Sequence, residues 1–113
     1  SIRVQDRDAL NAILEEDPAV EGVKMQQTLV TGTESYQISA ELDFDGRYLA
    51  REYLKDKELS EVHDSLKKPE DLQVFLEEFG EEIVDQLGDE VNRIEAKIRD
   101  RLPKAKSIDL EVD

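Results

Sequence analysis

The apolar residues between Pro69 and Pro103 recur at intervals of three and four, the spacing of one face of an α-helix. Glu70 and Asp71 follow the proline, and the helix dipole favours acids at a helix start. The pattern predicts one long amphipathic helix that ends at Pro103. This stripe is longer than a small sheet can cover, so part of it, or an uncovered face of the sheet, is expected to meet another protomer, which predicts a dimer. Its residues are Leu72, Phe75, Leu76, Phe79, Ile83, Leu87, Val91, Ile94, Ile98 and Leu102.

Two strands and a turn are predicted upstream of this helix. Residues 23–29 alternate between apolar and polar side chains, with one polar defect at Gln27, and residues 36–44 alternate without a defect. The turn is assigned to residues 31–34, which include a glycine. Residues 108–113 alternate in the same way after the long helix and predict a last strand.

A helix is predicted over residues 1–17. Asp6 or Asp8 can cap its N-terminus, and Asp17 ends it because the residue before a proline is disfavoured in helical conformation. Residues 47–68 are densely charged and predict a short helix followed by another helical turn or two.

The predicted order is therefore α-β-β-α-β, an α+β fold in one domain that spans residues 1–113. A strand, a helix and a further strand imply a right-handed crossover and a parallel pair. The last strand is expected beside the second, which gives a three-stranded mixed sheet in the order first, second, third. Both main helices are expected to cover one face of this sheet.

The charge balance limits the partners. The chain has 29 acids and 15 bases, a net charge of −14, so it lacks the basic face that nucleic acid binding needs. It has no cysteine, which excludes disulfides and thiolate zinc sites. No apolar run is long enough to span a bilayer. Expected partners are cations, basic surfaces or a second copy of the chain.

The residues give little support for catalysis. No nucleophile motif or phosphate-binding loop is present, and His63, the single histidine, lies in a charged segment typical of a solvated helix. The chain is therefore expected not to be an enzyme.

The outward faces of two predicted strands are acidic, and they allow two interpretations. Glu41 and Asp43 lie on the second strand, and Glu111 and Asp113 lie on the last. One interpretation is a solvated face on which Lys24 relieves the repulsion. The other is an oxygen-ligand site for a hard cation or for zinc, with modest zinc affinity because imidazole and thiolate ligands are missing.

Several segments resemble the C-terminal domain of cation diffusion facilitator transporters, especially the branch that includes a mitochondrial zinc transporter of animals. The resemblance rests on the order and spacing of short motifs over nearly the whole chain. These motifs are EEDPAV at 15–20, ISAELDFDGR at 38–47, PEDL at 69–72, IVDQLGDEVNRIE at 83–95 and SIDLEVD at 107–113.

The resemblance implies a metallochaperone-like, that is ferredoxin-like, fold that dimerises on the cytoplasmic face of a membrane. Members of the family are membrane dimers that exchange zinc or related divalent cations for protons. The chain would then be the regulatory and dimerisation domain of such an efflux transporter. Its partners would be a second copy, its own transmembrane domain, which this chain does not contain, and divalent cations. The alternative is a free-standing acidic module that binds metal or protein.

The chain departs from the family at the positions of the regulatory metal site. Several bacterial members have histidines at the positions of Lys24, Glu41 and Glu111, and an aspartate at that of Asp113. None of these three histidines is present at its position in this chain, and one of the positions carries a cation, Lys24. We therefore expect only weak binding of zinc or another divalent cation. The predicted ligands are Glu41, Glu111 and Asp113, with His63, Glu61 and Asp64 as the next candidates.

Overall fold

The computed structural model describes residues 1–32 and 34–113, and it confirms the predicted α+β fold and the order of its main elements. Thr33, part of the predicted turn, lies outside the described residues. The elements are α1 (Val4–Glu15), β1 (Val20–Thr31), β2 (Ser35–Phe44), α2 (Gly46–Leu54), α3 (Leu59–Ser65), α4 (Pro69–Arg101) and β3 (Ala105–Val112).

The sheet has the predicted topology. Its strand order is β1-β2-β3, with β1 and β2 antiparallel and β2 and β3 parallel. The short turn between β1 and β2 joins antiparallel strands, whereas the helices between β2 and β3 supply the long crossover that a parallel pair needs. On β2 the inward residues are almost fully buried, and their neighbours in sequence are half-buried or exposed. The buried set is Tyr36, Ile38, Ala40 and Leu42.

Two compact units make up the chain. The first contains residues 1–45 and 90–113, and the second contains residues 46–89. The core of the first unit joins one face of the sheet to α1 and to the C-terminal part of α4, as predicted. Its helical members are Leu10, Leu14, Ile94, Ile98 and Leu102.

The second unit has very little core of its own. Leu49 is the one buried residue within the described range 46–89. Tyr53 of α2 contacts Phe79 of α4 edge to face, with ring centroids 5.2 Å apart, and Phe75 stacks beside Phe79. The Lys57 ammonium lies 4.8 Å from the centre of the Tyr53 ring. These contacts connect α2 to α4 and leave the three aromatic rings half-buried.

The long helix α4 has 33 residues and begins at Pro69, in agreement with the sequence pattern. Asp71, in the first turn of α4, reaches back as the acid of a capping box does: its carboxylate accepts hydrogen bonds from the backbone N–H groups of Lys67 and Lys68, both at 3.0 Å. None of the helices in the described part of the chain is both long and apolar enough to cross a membrane.

The prediction that Asp6 or Asp8 caps α1 is wrong. Arg3 occupies the N-cap position, and its side chain makes no capping hydrogen bond. Asp6 is buried on the core side of α1, where it accepts a 2.7 Å hydrogen bond from the Tyr36 hydroxyl. This bond, with that from the Arg3 guanidinium, holds the pKa of the Asp6 carboxyl below its usual value. The Asp6 carboxylate, which the sequence pattern assigned to the helix N-terminus, is thus bound by the buried Tyr36 hydroxyl instead.

The alternation read for β1 is also wrong in part, because the strand contains irregularities. Val23 pairs with Leu42 and Met25 pairs with Glu41, so Lys24 is an extra residue in a bulge. Since one extra residue reverses the phase of the side chains, Val23 packs on the core while Met25 and Leu29 are 38% and 50% exposed.

The bulge places a polar residue on the helix side of β1. Gln26 pairs with buried Ala40, and its side-chain amide donates a 2.7 Å hydrogen bond to the Asn11 side-chain oxygen on α1. This bond satisfies a polar group that the sequence pattern placed on the outer face.

Candidate functional site

The parallel register of β2 and β3 brings the predicted strand carboxylates onto one face of the sheet, opposite the helices. Glu41 lies directly across from Glu111. The alternation along β2 puts Asp43 on the same face as Glu41, since Leu42 between them is fully buried. We call this surface the open face of the sheet. Its middle and β3 side are acidic.

Sequence reasoning missed one member of this acidic face. Asp109 pairs with Ser39, one step along from the Glu41–Glu111 pair, and it is exposed. The alternation of residues 108–113 could have predicted it, because Asp109 and Glu111 are two residues apart in a strand and therefore lie on the same face. Asp113 extends the pairing, and its backbone N–H donates a 2.9 Å hydrogen bond to the Leu42 carbonyl oxygen.

The acidic residues of the open face are close in register without forming a closed ligand shell. Across residues 1–32 and 34–113, no group of three or more Asp, Glu, His or Cys side chains is arranged to hold a metal ion. Lys24 also makes no ion pair with these carboxylates in the described part of the chain. The face is an open row of carboxylate oxygens, and a metal ion placed on it would be bound by one or two side chains at a time.

The other candidate ligands lie in the second unit, on α3. Glu61 is in the first turn of this helix, and His63 and Asp64 follow. The His63 Nδ1 atom is 3.8 Å from a carboxylate oxygen of Asp64, and the two side chains are 89% and 77% exposed. The predicted ligands therefore belong to two groups, one on the sheet and one on α3.

The most ordered charged cluster in the first unit is one that sequence reasoning did not identify. The side chain of Asp17 is fully buried, and its two oxygens accept hydrogen bonds of 2.7 and 2.8 Å from Arg93 and 2.7 Å from Lys97. The backbone N–H of Ala19 adds a fourth, at 2.9 Å. Glu90 binds the same guanidinium at 2.8 Å.

These contacts fix the charge state of the cluster. Burial alone raises the pKa of the Asp17 carboxyl, but the hydrogen bonds from Arg93 and Lys97 outweigh it and lower the pKa to about 2. The carboxylates of Asp17 and Glu90 in turn raise the pKa of Arg93. The cluster ties the exit of α1 to the C-terminal part of α4. In the sequence, the only indication of this cluster was that two bases, Arg93 and Lys97, lie four residues apart beside the core positions Ile94 and Ile98.

No protein-family model and no solved structure matched the chain. Curated relatives did match. The human mitochondrial proton-coupled zinc antiporter SLC30A9 is 36% identical over 99% of this chain and 20% of its own length. The antiporter of the same name from Xenopus laevis is also 36% identical, over 99% of this chain and 21% of its own length.

A plant relative extends the match. Metal tolerance protein C4 of Arabidopsis thaliana is 29% identical over 95% of this chain and 25% of its own length. The chain thus spans about one fifth to one quarter of the curated relatives it matches. Together with the α-β-β-α-β order of the elements, this homology over nearly the entire chain makes it part of a cation diffusion facilitator family protein, of the branch that contains these zinc antiporters.

Proposed function

We propose that the chain is the C-terminal regulatory and dimerisation domain of a proton-coupled transporter for zinc or another divalent cation. The observation that carries this proposal is the match over 99% of the chain to proteins named proton-coupled zinc antiporters. The chain would be joined to a membrane-embedded portion of the same protein, on its cytoplasmic face. Its acidic open face would concentrate cations near the transporter by attraction.

The exposed apolar residues of β1 suggest where the dimer forms. Met25 and Leu29 lie on the open face at the edge strand, on the side away from the acids of β3. Packing of the β1 side of the open face against the same surface of a second copy would cover both apolar side chains and keep the β3 carboxylates of the two copies apart. The dimer is therefore proposed to use the β1 side of the open face.

The chain is expected to be a dimer in solution, and Leu29→Glu is expected to make it monomeric. The added carboxylate would be buried in the interface without a cation to pair with, which is costly. Sedimentation velocity at high micromolar concentration measures both species. Leu76→Glu, on α4, is the matched control and should leave the dimer intact. A wild-type chain that sediments only as the 13.0 kDa species would contradict the proposal.

Zinc is expected to bind this domain with micromolar or weaker affinity, mainly through the open-face carboxylates. Carboxylates are hard donors that hold zinc weakly without imidazole or thiolate, and the row gives few ligands at once. In calorimetry, Glu41→Gln combined with Glu111→Gln should weaken binding several-fold, whereas His63→Ala should change it little.

Two outcomes of the zinc titration would count against this assignment. A nanomolar site in the unmodified chain would require a closed ligand shell. A loss of binding in His63→Ala alone would move the site to α3. Lys24→His tests the strand site from the other direction, because replacing the ammonium by an imidazole should strengthen zinc binding there.

A further inference from the structure

The second unit presents a strip of apolar side chains that nothing in it covers. Leu72, Leu76, Gly80 and Val84 recur every four residues along α4 and form one ridge, which we call the α4 strip. The three side chains are 46%, 53% and 69% exposed. The first two also line a shallow apolar groove with Pro69, Gln73 and Glu77.

The strip is distinct from the part of α4 that packs inside the unit. Phe75 and Phe79 are half-buried and contact each other and Tyr53. Gly80 has no side chain and therefore leaves a notch in the strip. The space above it is empty, since a Cβ atom built there would meet no heavy atom within 4 Å. A notch between two exposed apolar residues lets a second helix approach closely at that point.

The charge around the strip selects its partner. Residues 69–89 contain eight acids and no lysine or arginine. Glu77 and Glu81 each follow a residue of the strip and border it on one side. A second α4 strip would bring acids of the same kind against Glu77 and Glu81, and these like charges would repel. An anionic lipid surface is repelled for the same reason.

We propose that the α4 strip is a docking site for a basic amphipathic helix of a partner protein. Apolar residues of that helix would cover Leu72, Leu76 and Val84, and its flanking lysines or arginines would pair with Glu77 and Glu81. The apolar contact supplies affinity, and the charges fix the orientation and exclude acidic helices. This inference is independent of the proposed transport role and of the dimer surface on β1.

The test uses a labelled synthetic helix of about 18 residues, built from leucine and lysine, and a counterpart in which every lysine is glutamate. Fluorescence anisotropy at physiological salt measures their binding to the 113-residue chain. Only the lysine peptide should bind. Leu72→Gln combined with Leu76→Gln should weaken binding about tenfold or more, since the apolar contact is lost while the net charge is unchanged.

Val74→Gln is the matched control. Val74 lies between these leucines in sequence but on the opposite side of α4, and it is 51% exposed, close to the exposure of Leu76. Its substitution should change the affinity less than about twofold. Glutamine is a good helix former, so circular dichroism should show unchanged helicity in all variants.

Three results would overturn the proposal. If the double variant binds as tightly as the wild type, net charge alone attracts the peptide. If Val74→Gln weakens binding as much as the double variant does, the strip is not the contact. If the chain self-associates through the strip, so that the double variant becomes monomeric and the peptide competes with assembly, the occupant is a second copy.

Discussion

Asp17→Asn is expected to lower the free energy of unfolding by about 3 kcal/mol at neutral pH. The Asp17 side chain is fully buried and accepts hydrogen bonds from Arg93 and Lys97. An amide can accept fewer of these bonds, and it leaves two cations without their counter-charge. Because those cations are 37% and 43% exposed, water compensates part of the loss, which keeps the effect at the lower end of the range for buried pairs. Urea unfolding followed by circular dichroism measures the change.

The neighbouring acid provides the control. Glu16 is exposed and precedes Asp17 in the chain, so Glu16→Gln should change the stability by less than about 0.5 kcal/mol. Equal effects of the two substitutions would show that the buried cluster is not what stabilises this region.

The effect of Asp17 should also depend on pH. Its pKa is about 2 in the folded chain against 3.8 for the unperturbed group. A carboxyl whose folded-state pKa is depressed stabilises the protein above its unfolded pKa, and this stabilisation is lost as the pH falls through the folded value. The shift corresponds to about 2 kcal/mol. The difference between wild type and Asp17→Asn should therefore shrink between pH 4 and pH 2, and a difference that stays constant there would contradict the assignment.

Leu42→Ala is expected to destabilise the chain by about 3 kcal/mol, whereas Leu29→Ala should cost less than about 1 kcal/mol. The two leucines lie on adjacent strands, but Leu42 is fully buried under the helices and Leu29 is 50% exposed on the open face. Truncating the first leaves a cavity in the core, and truncating the second removes little packing. Urea unfolding at a concentration where the chain is monomeric compares them without the contribution of a dimer.

This pair of variants tests the bulge at Lys24 directly. Without the bulge, Leu29 would share the core side of β1 with Val23, and its truncation would cost about as much as that of Leu42. Similar losses in both variants would therefore contradict the register of β1 and the position of the open-face apolar residues that the dimer proposal uses.

The fold could be predicted because its signals are local or topological. The three-and-four spacing of the apolar residues set the long helix, and Pro69 and Pro103 set its ends to within two residues of the structure. The sheet order followed from the handedness of a strand–helix–strand crossover, a rule that holds for L-amino acids in general. The acidic face followed from the period of two along β2 and β3.

The errors arose where a side chain had a partner distant in sequence. Asp6 has the residue type and position of a helix cap, and its actual partner, Tyr36, is on β2. Lys24 interrupts an alternation that looks continuous in sequence, and only pairing with β2 reveals the bulge. Asp17 does follow the end of α1, as predicted, but its role in a buried charged cluster was missed because its partners lie more than seventy residues further along the chain.

The sequence alone thus determined which segments are helices and strands, their order, the sign of the charge and the side of β2 that faces the core, because these depend on periodicity and composition along the chain. The tertiary structure alone decided which polar groups are buried, where β1 changes phase and which part of α4 stays uncovered. These features depend on contacts between segments, since the burial of a carboxylate is favourable only where cations such as Arg93 and Lys97 reach it. A local pattern carries no information about such a distant partner.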